Sequence, residues 1–190
     1  MIEEILAFSK LIGKLKKIER TGWVTWAKIE NPESVAEHIF RTAVLGLIVA
    51  DMKKLNTERI VRMCLLHDLP EAIIGDWDPM AKKKLGIEKW KAKEKEALDK
   101  LLSILPKTIR EKYFDAWSEF EEMKTPAAKI VRQLDRLEMI IQALEYLEEG
   151  YKEEDLKEFF DWHADEFTDA DLKKIFTLVN SERLKYKIQE

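Results

Sequence analysis

The residues that stand out chemically lie in the run Leu65-Leu66-His67-Asp68-Leu69-Pro70-Glu71-Ala72-Ile73-Ile74-Gly75-Asp76. Four ionisable groups, His67, Asp68, Glu71 and Asp76, are set among leucines and isoleucines. Burying them costs free energy unless a group of opposite charge balances them, and a divalent metal is one such group. Helical neighbours project about 100° apart, so His67 and Asp68 can turn toward one ion only where their helix ends. Pro70 provides that end, because it disfavours helical geometry at Leu69. Further ligands must come from elsewhere in the chain. His38, in Glu33-Ser34-Val35-Ala36-Glu37-His38, and Asp135, in Gln133-Leu134-Asp135-Arg136-Leu137, are polar positions on otherwise core-like stretches. Two imidazoles and two carboxylates suit a borderline divalent ion better than calcium, and on a six-coordinate ion they leave room for water and substrate.

The elements that must position these groups read as helices. Apolar residues recur at helical spacing, as in Ile5, Phe8, Leu11, Ile12 and Leu15, and no stretch alternates as a strand would. An all-α single-domain bundle over residues 1–190 is therefore expected. Ser34 and Glu37 form a capping box that opens a helix over about 35–52. Thr57 is expected to cap a second helix that ends near Asp68, followed by a short turn from Pro70 to Gly75. Further helices are expected over 88–104, 107–121, 126–149, 153–167 and 169–187.

Composition narrows the function classes. The 190 residues carry 33 basic and 37 acidic side chains, a formal net charge of −4, with no basic block that would track a nucleic-acid polymer. No apolar run is long enough to span a membrane, and the acidic, amphipathic start does not resemble a secretory signal, so a cytoplasmic protein is expected. The single Cys64 cannot form an internal disulfide and is expected to pack as a small apolar residue. The Lys/Glu-rich, amide-poor bias suggests a thermophile. The lysines of segment 82–96 alternate with glutamates and read as a solvated helix surface. Trp26 reads as a core aromatic and His163 as structural. Arg41, one turn after His38, could reach a phosphate or bridge to a carboxylate.

His38, the pair His67-Asp68 and the distal Asp135 resemble the HD-domain metal phosphohydrolases. The blocks Arg20-Thr21-Gly22-Trp23-Val24, Asn31 to His38, Glu71 with Gly75-Asp76, and Gln133-Leu134-Asp135 are similar to the 5'-deoxynucleotidase branch, as is the region from Phe159 to Phe167. The resemblance implies an HD-type helical bundle that forms a homodimer, and hydrolysis of 2'-deoxyribonucleoside 5'-monophosphates with cobalt, manganese or a similar ion. It implies His38, His67, Asp68 and Asp135 as metal ligands, Glu71 and Asp76 as catalytic groups, and Arg20 and Trp23 as a clamp for phosphate and sugar or base. Such an ion acidifies water and neutralises phosphoryl oxygens.

Charge arithmetic adds a further expectation. Four carboxylates and a phosphate monoester exceed what one divalent ion cancels. Glu71 and Asp76, with the Trp77 carbonyl, are therefore expected either to hold a second ion such as magnesium or to carry a proton. The alternatives are an HD-type enzyme acting on a triphosphate or cyclic ester, and a catalytically silent nucleotide-binding module.

Overall fold

The computed structural model describes residues 2–161 and 164–186, which contain helices and no named strand. The chain opens with α1 (Ile2–Ile12), a 3-10 turn (Gly13–Lys17) and the short α2 (Thr21–Thr25). It continues through α3 (Val35–Lys53), α4 (Thr57–Leu66), α5 (Glu71–Ile74), α6 (Pro79–Leu85), α7 (Ile87–Leu102) and α8 (Lys107–Glu122). The last helices are α9 (Pro126–Glu148), α10 (Glu153–Asp161) and α11 (Ala170–Arg183). His163 lies outside the described residues.

Three helices, α3, α4 and α9, form the centre of the bundle. The first is launched by the expected capping box, in which Ser34 and Glu37 satisfy each other's backbone N–H groups. Gly46 lets α4 come close: a Cβ there would lie 2.8 Å from Cys64 Sγ and 3.3 Å from Ile60 Cγ2. Pro126 at the start of α9 needs no intrahelical donor, and the Thr125 hydroxyl accepts from Ala128 N. Ile60, Met63, Leu134, Leu137 and Ile140 are completely buried between these helices.

Several boundaries differ from the sequence expectation. Asn56, not Thr57, caps α4: its side chain accepts from Arg59 N, while the Thr57 hydroxyl donates to Asp51. Asn is at least as good a cap as Thr, and it sits one residue earlier. Of the helix expected over 153–167, α10 covers Glu153–Asp161, and Ala164–Glu166 form a 3-10 turn instead. Buried Gln133 holds the segment that follows, accepting from Thr168 N and Asp169 N at 2.8 Å each. The helices α2 and α6 carry too few residues for periodicity to reveal them.

Candidate active site

The cation cradle lies where α3, the end of α4 and α9 meet. His38, one turn into α3, and His67, just beyond α4, are buried with their Nε2 atoms 3.2 Å apart. Asp135 Oδ1 lies 3.3 Å from His38 Nε2 and 3.9 Å from His67 Nε2. Asp68 Oδ2 lies 3.6 and 3.3 Å from the same two nitrogens. The structure thus brings together four side chains spread over 98 positions of sequence, from 38 to 135.

The ring nitrogens show what this cradle fits. His67 Nδ1 faces the Cys64 carbonyl at 2.7 Å, and His38 Nδ1 faces the Glu138 carboxylate. Both partners accept hydrogen bonds, so both Nδ1 atoms carry hydrogen. The two Nε2 atoms then meet lone pair to lone pair unless a cation or proton lies between them. Ligands about 2.1 Å from one ion and at right angles to each other are about 3 Å apart, close to the separations seen here. The donor set therefore fits a divalent metal of the borderline class.

Without that ion, protons must balance the charge. Burial and Arg20 work against a charged His38, but Glu138 and Asp135 outweigh them and raise its pKa to about 10. Burial likewise opposes ionisation of Asp68, yet His67, Arg20 and His38 hold its carboxyl well below the ordinary range. Asp135 is held low in the same way by Arg136, His38 and His67. Two carboxylates kept ionised beside two imidazoles are ready to receive a cation.

A cavity of about 450 Å³ opens over the cradle, bordered by Arg20, Asp68, Asp76, Lys82, Arg132 and Asp135 on its polar side. Its apolar wall includes Trp23, Trp26, Trp77, Ile87, Met139 and Phe159. Arg20 Nη1 donates to Asp68 Oδ2 at 3.1 Å, so the expected phosphate clamp stands beside the expected metal ligands. Trp23 is nearly wholly buried, stacks on Phe159 with centroids 4.0 Å apart, and donates from Nε1 to Glu33 Oε1 at 3.0 Å. It therefore offers a ligand little of its surface.

Glu71, at the start of α5, is buried, and its Oε2 has no hydrogen-bond partner in the protein. Burial, then Asp68 and Asp76, push its carboxyl well above the ordinary range. Asp76 is placed differently. Its Oδ2 accepts from both the backbone N and the hydroxyl of Thr21, and its Oδ1 is 3.9 Å from Arg20 Nη1, so it ties down the segment that carries Arg20. Among the described residues, two groups of three could hold a metal: His38, His67 and Asp135, and Glu33, His38 and Glu138; Asp68, Glu71 and Asp76 enter neither, and Asp68 reaches the first group only through its contacts of 3.6 and 3.3 Å with the two histidines.

The comparisons with known proteins agree with this geometry. The family model described as HD domain matches residues 12–176. The chain belongs to the HD-domain family. A Xenopus laevis protein named 5'-deoxynucleotidase HDDC2 is 37% identical over 181 residues, covering 95% of this chain and 88% of the relative. The human protein of the same name is 36% identical, covering 94% of this chain and 86% of its own length. Among solved structures, a conserved hypothetical protein of Pyrococcus furiosus has a TM-score of 0.73 at 31% identity, covering 96% of this chain and 99% of that one. A Pyrococcus horikoshii protein also reaches 0.73, at 32% identity, covering 96% and 98%.

Three further side chains bear on the site. Lys82 borders the cavity and lies 4.7 Å from the Trp90 ring centre, so the segment read as solvated surface turns one lysine inward. Arg41 bridges carboxylates, donating to Glu138 at 2.8 Å and Glu145 at 2.6 Å. Glu138 itself is buried behind His38. Its i+3 spacing from Asp135 was the available clue, since residues three apart share a helix face.

Proposed function

We propose that the protein is a metal-dependent 5'-deoxynucleotidase, releasing phosphate from 2'-deoxyribonucleoside 5'-monophosphates. The observation that carries this reading is the pair of facing His38 and His67 Nε2 atoms, 3.2 Å apart, beneath a cavity bordered by Arg20. The shared name of the curated relatives supports the substrate class. His38, His67, Asp68 and Asp135 would hold the ion, with cobalt or manganese suited to the mixed imidazole and carboxylate set. When bound, such an ion acidifies water and neutralises charge on phosphoryl oxygens.

The remaining residues divide the work. Arg20 offers the phosphate a planar, permanently charged donor, and Asp76 holds that arginine's segment in place. Lys82 and Arg132 add positive charge to the cavity border. Trp23, stacked on Phe159, belongs to the wall proposed for the sugar or base. Glu71 does not border the cavity, but its buried Oε2 has no hydrogen-bond partner, and burial with Asp68 and Asp76 pushes its carboxyl well above the ordinary range, which suits it to supply the proton that the departing 5'-oxygen takes up. A proton on Glu71 would relieve the excess negative charge, and a second magnesium ion at Glu71, Asp76 and the Trp77 carbonyl is the alternative that does the same.

A second copy of the chain is the proposed partner. Along α3, Phe40, Val44, Leu47, Ile48 and Met52 form an exposed apolar stripe at helical spacing. Sedimentation velocity should show a dimer that Phe40→Asp weakens. The activity is tested by stripping the protein of metal and refilling it separately with manganese, cobalt, magnesium and zinc. Phosphate release is then measured from deoxy- and ribonucleoside monophosphates, triphosphates and cyclic esters. Turnover of 5'-deoxynucleoside monophosphates with at least one ion is expected; activity confined to triphosphates or cyclic esters, or none with any ion, would overturn the reading.

A further inference from the structure

The two histidines of the cradle are supported in unequal ways. His67 leans on its own helix, with Nδ1 facing the carbonyl of Cys64 three residues earlier. His38 has no such local support; its Nδ1 faces a carboxylate 100 residues away, on Glu138 of α9. That carboxylate is completely buried, and both of its oxygens are engaged, Oε2 by His38 and Oε1 by Arg41 Nε at 2.8 Å. Arg41 is anchored in turn by Glu145 at 2.6 Å and by Gln142.

The arrangement follows from two helix registers. His38 and Arg41 are three residues apart on α3, and Asp135 and Glu138 are three apart on α9. Each helix therefore shows the other two groups on one face, one turn apart. Asp135 and His38 meet at the cavity end, while Glu138 and Arg41 meet one turn farther along the helices. Glu33, His38 and Glu138 lie close enough together to suggest a second cation site. Arg41 already supplies the positive charge there, with Nη2 4.0 Å from Glu33 Oε2 as well as its bond to Glu138.

We propose that Glu138, held by Arg41, is a positioning residue that keeps hydrogen on His38 Nδ1 and the Nε2 lone pair aimed at the cradle, and so sets the affinity for the divalent ion. The proposal rests on the metal-dependent reading above. A histidine that binds metal through one nitrogen is oriented through the other, and loss of that outer partner typically costs 10–100-fold in metal affinity. Because α9 supplies both Asp135 and Glu138, one helix fixes a ligand and the support of another.

The test uses full-length protein, wild type, Glu138→Gln and Glu138→Leu. Gln keeps an acceptor oxygen for His38 but loses the charge that holds Arg41; Leu removes both. Manganese affinity of the metal-stripped proteins is read by the electron spin resonance of free Mn²⁺. The expected result is a loss of about 10-fold for Gln and about 100-fold for Leu. In the Gln variant saturating manganese should restore most of kcat, with KM for the nucleotide little changed. The His38 Nδ1–H proton, followed by NMR in ¹⁵N-histidine-labelled protein without metal, should exchange slowly in wild type and rapidly in Glu138→Leu.

Manganese affinities within twofold of wild type in both variants, or an Nδ1–H equally protected in Glu138→Leu, would overturn the proposal. If Leu prevents folding, the Gln variant decides on affinity alone. Wild-type protein that retains a protected Nδ1–H but takes up no manganese would instead defeat the metal-dependent reading, and the affinity claim with it.

Discussion

The floor of the cavity and its rim are built by different means. The floor draws on α3, α4 and α9, helices of 19, 10 and 23 residues whose apolar faces are buried against one another. The rim draws on α2, α5 and α6, of five, four and seven residues, joined by turns. Helices this short cannot sustain their own hydrogen bonding, so the rim is held by side chains: Asp76 on Thr21, Asp78 on the N–H groups of Met80 and Ala81, and Trp77 on the Ile74 carbonyl. The difference suggests a division of labour, with a rigid floor that fixes the ion and a rim adjusted to the substrate.

If that division holds, changes to the floor should abolish ion binding, while changes to the rim should leave the ion and alter turnover or selectivity. The largest effect is expected for Asp68→Ala, which should lose the metal and turnover together, by at least about 10³-fold in kcat/KM, read by metal analysis and phosphate release. Glu71→Gln should retain the ion yet lose about 10²–10⁴-fold in kcat. Equal metal loss in both variants would break the comparison.

The pH profile sharpens the role of Glu71. A proton donor works in its protonated form, so kcat should fall as pH rises through the raised Glu71 pKa, and Glu71→Gln should lack that alkaline limb. A bound cation opposes the shift, so the limb of the metal-loaded enzyme should lie below the pH at which Glu71 titrates in the metal-free protein. A limb that persists in Glu71→Gln would assign the proton to another group.

Smaller effects should separate packing from chemistry. Gly46→Ala puts a methyl against Cys64 and Ile60 and should cost about 1–3 kcal/mol, read from chemical denaturation. Adding Cys64→Ala should recover part of that loss by clearing the sulfur. Trp23→Phe keeps an aromatic ring against Phe159 but drops the bond to Glu33, and should shift KM and the deoxy-to-ribo preference by a few-fold without changing metal content. An unchanged preference would place sugar discrimination elsewhere on the wall.

The same contrast accounts for what could be read from the sequence. His38 was legible because the Ser34-Glu37 box fixes where α3 starts, and His67-Asp68 because Pro70 ends the preceding helix. Asp135 needed the family pattern, since an aspartate flanked by two arginines fits a surface equally well. Apart from its i+3 spacing from Asp135, Glu138 carried no mark: in Leu137-Glu138-Met139 it looks like one of the many glutamates that face solvent, and only the packing of α9 on α3 places it behind His38. Lys82 was hidden for the opposite reason, because α6 is too short for periodicity to show which lysine turns inward. The 3-10 turn over Ala164–Glu166 was missed because apolar spacing continues through Phe167, while the hold that Gln133 exerts on Thr168 and Asp169 is a tertiary contact.

The central claim is that His38, His67, Asp68 and Asp135 close around one divalent ion. Anomalous diffraction from a crystal soaked in manganese or cobalt tests it directly. A single strong peak about 2.0–2.3 Å from both histidine Nε2 atoms and from oxygens of Asp68 and Asp135 is predicted. An active protein with no peak there, or with its ion bound elsewhere, would contradict the account.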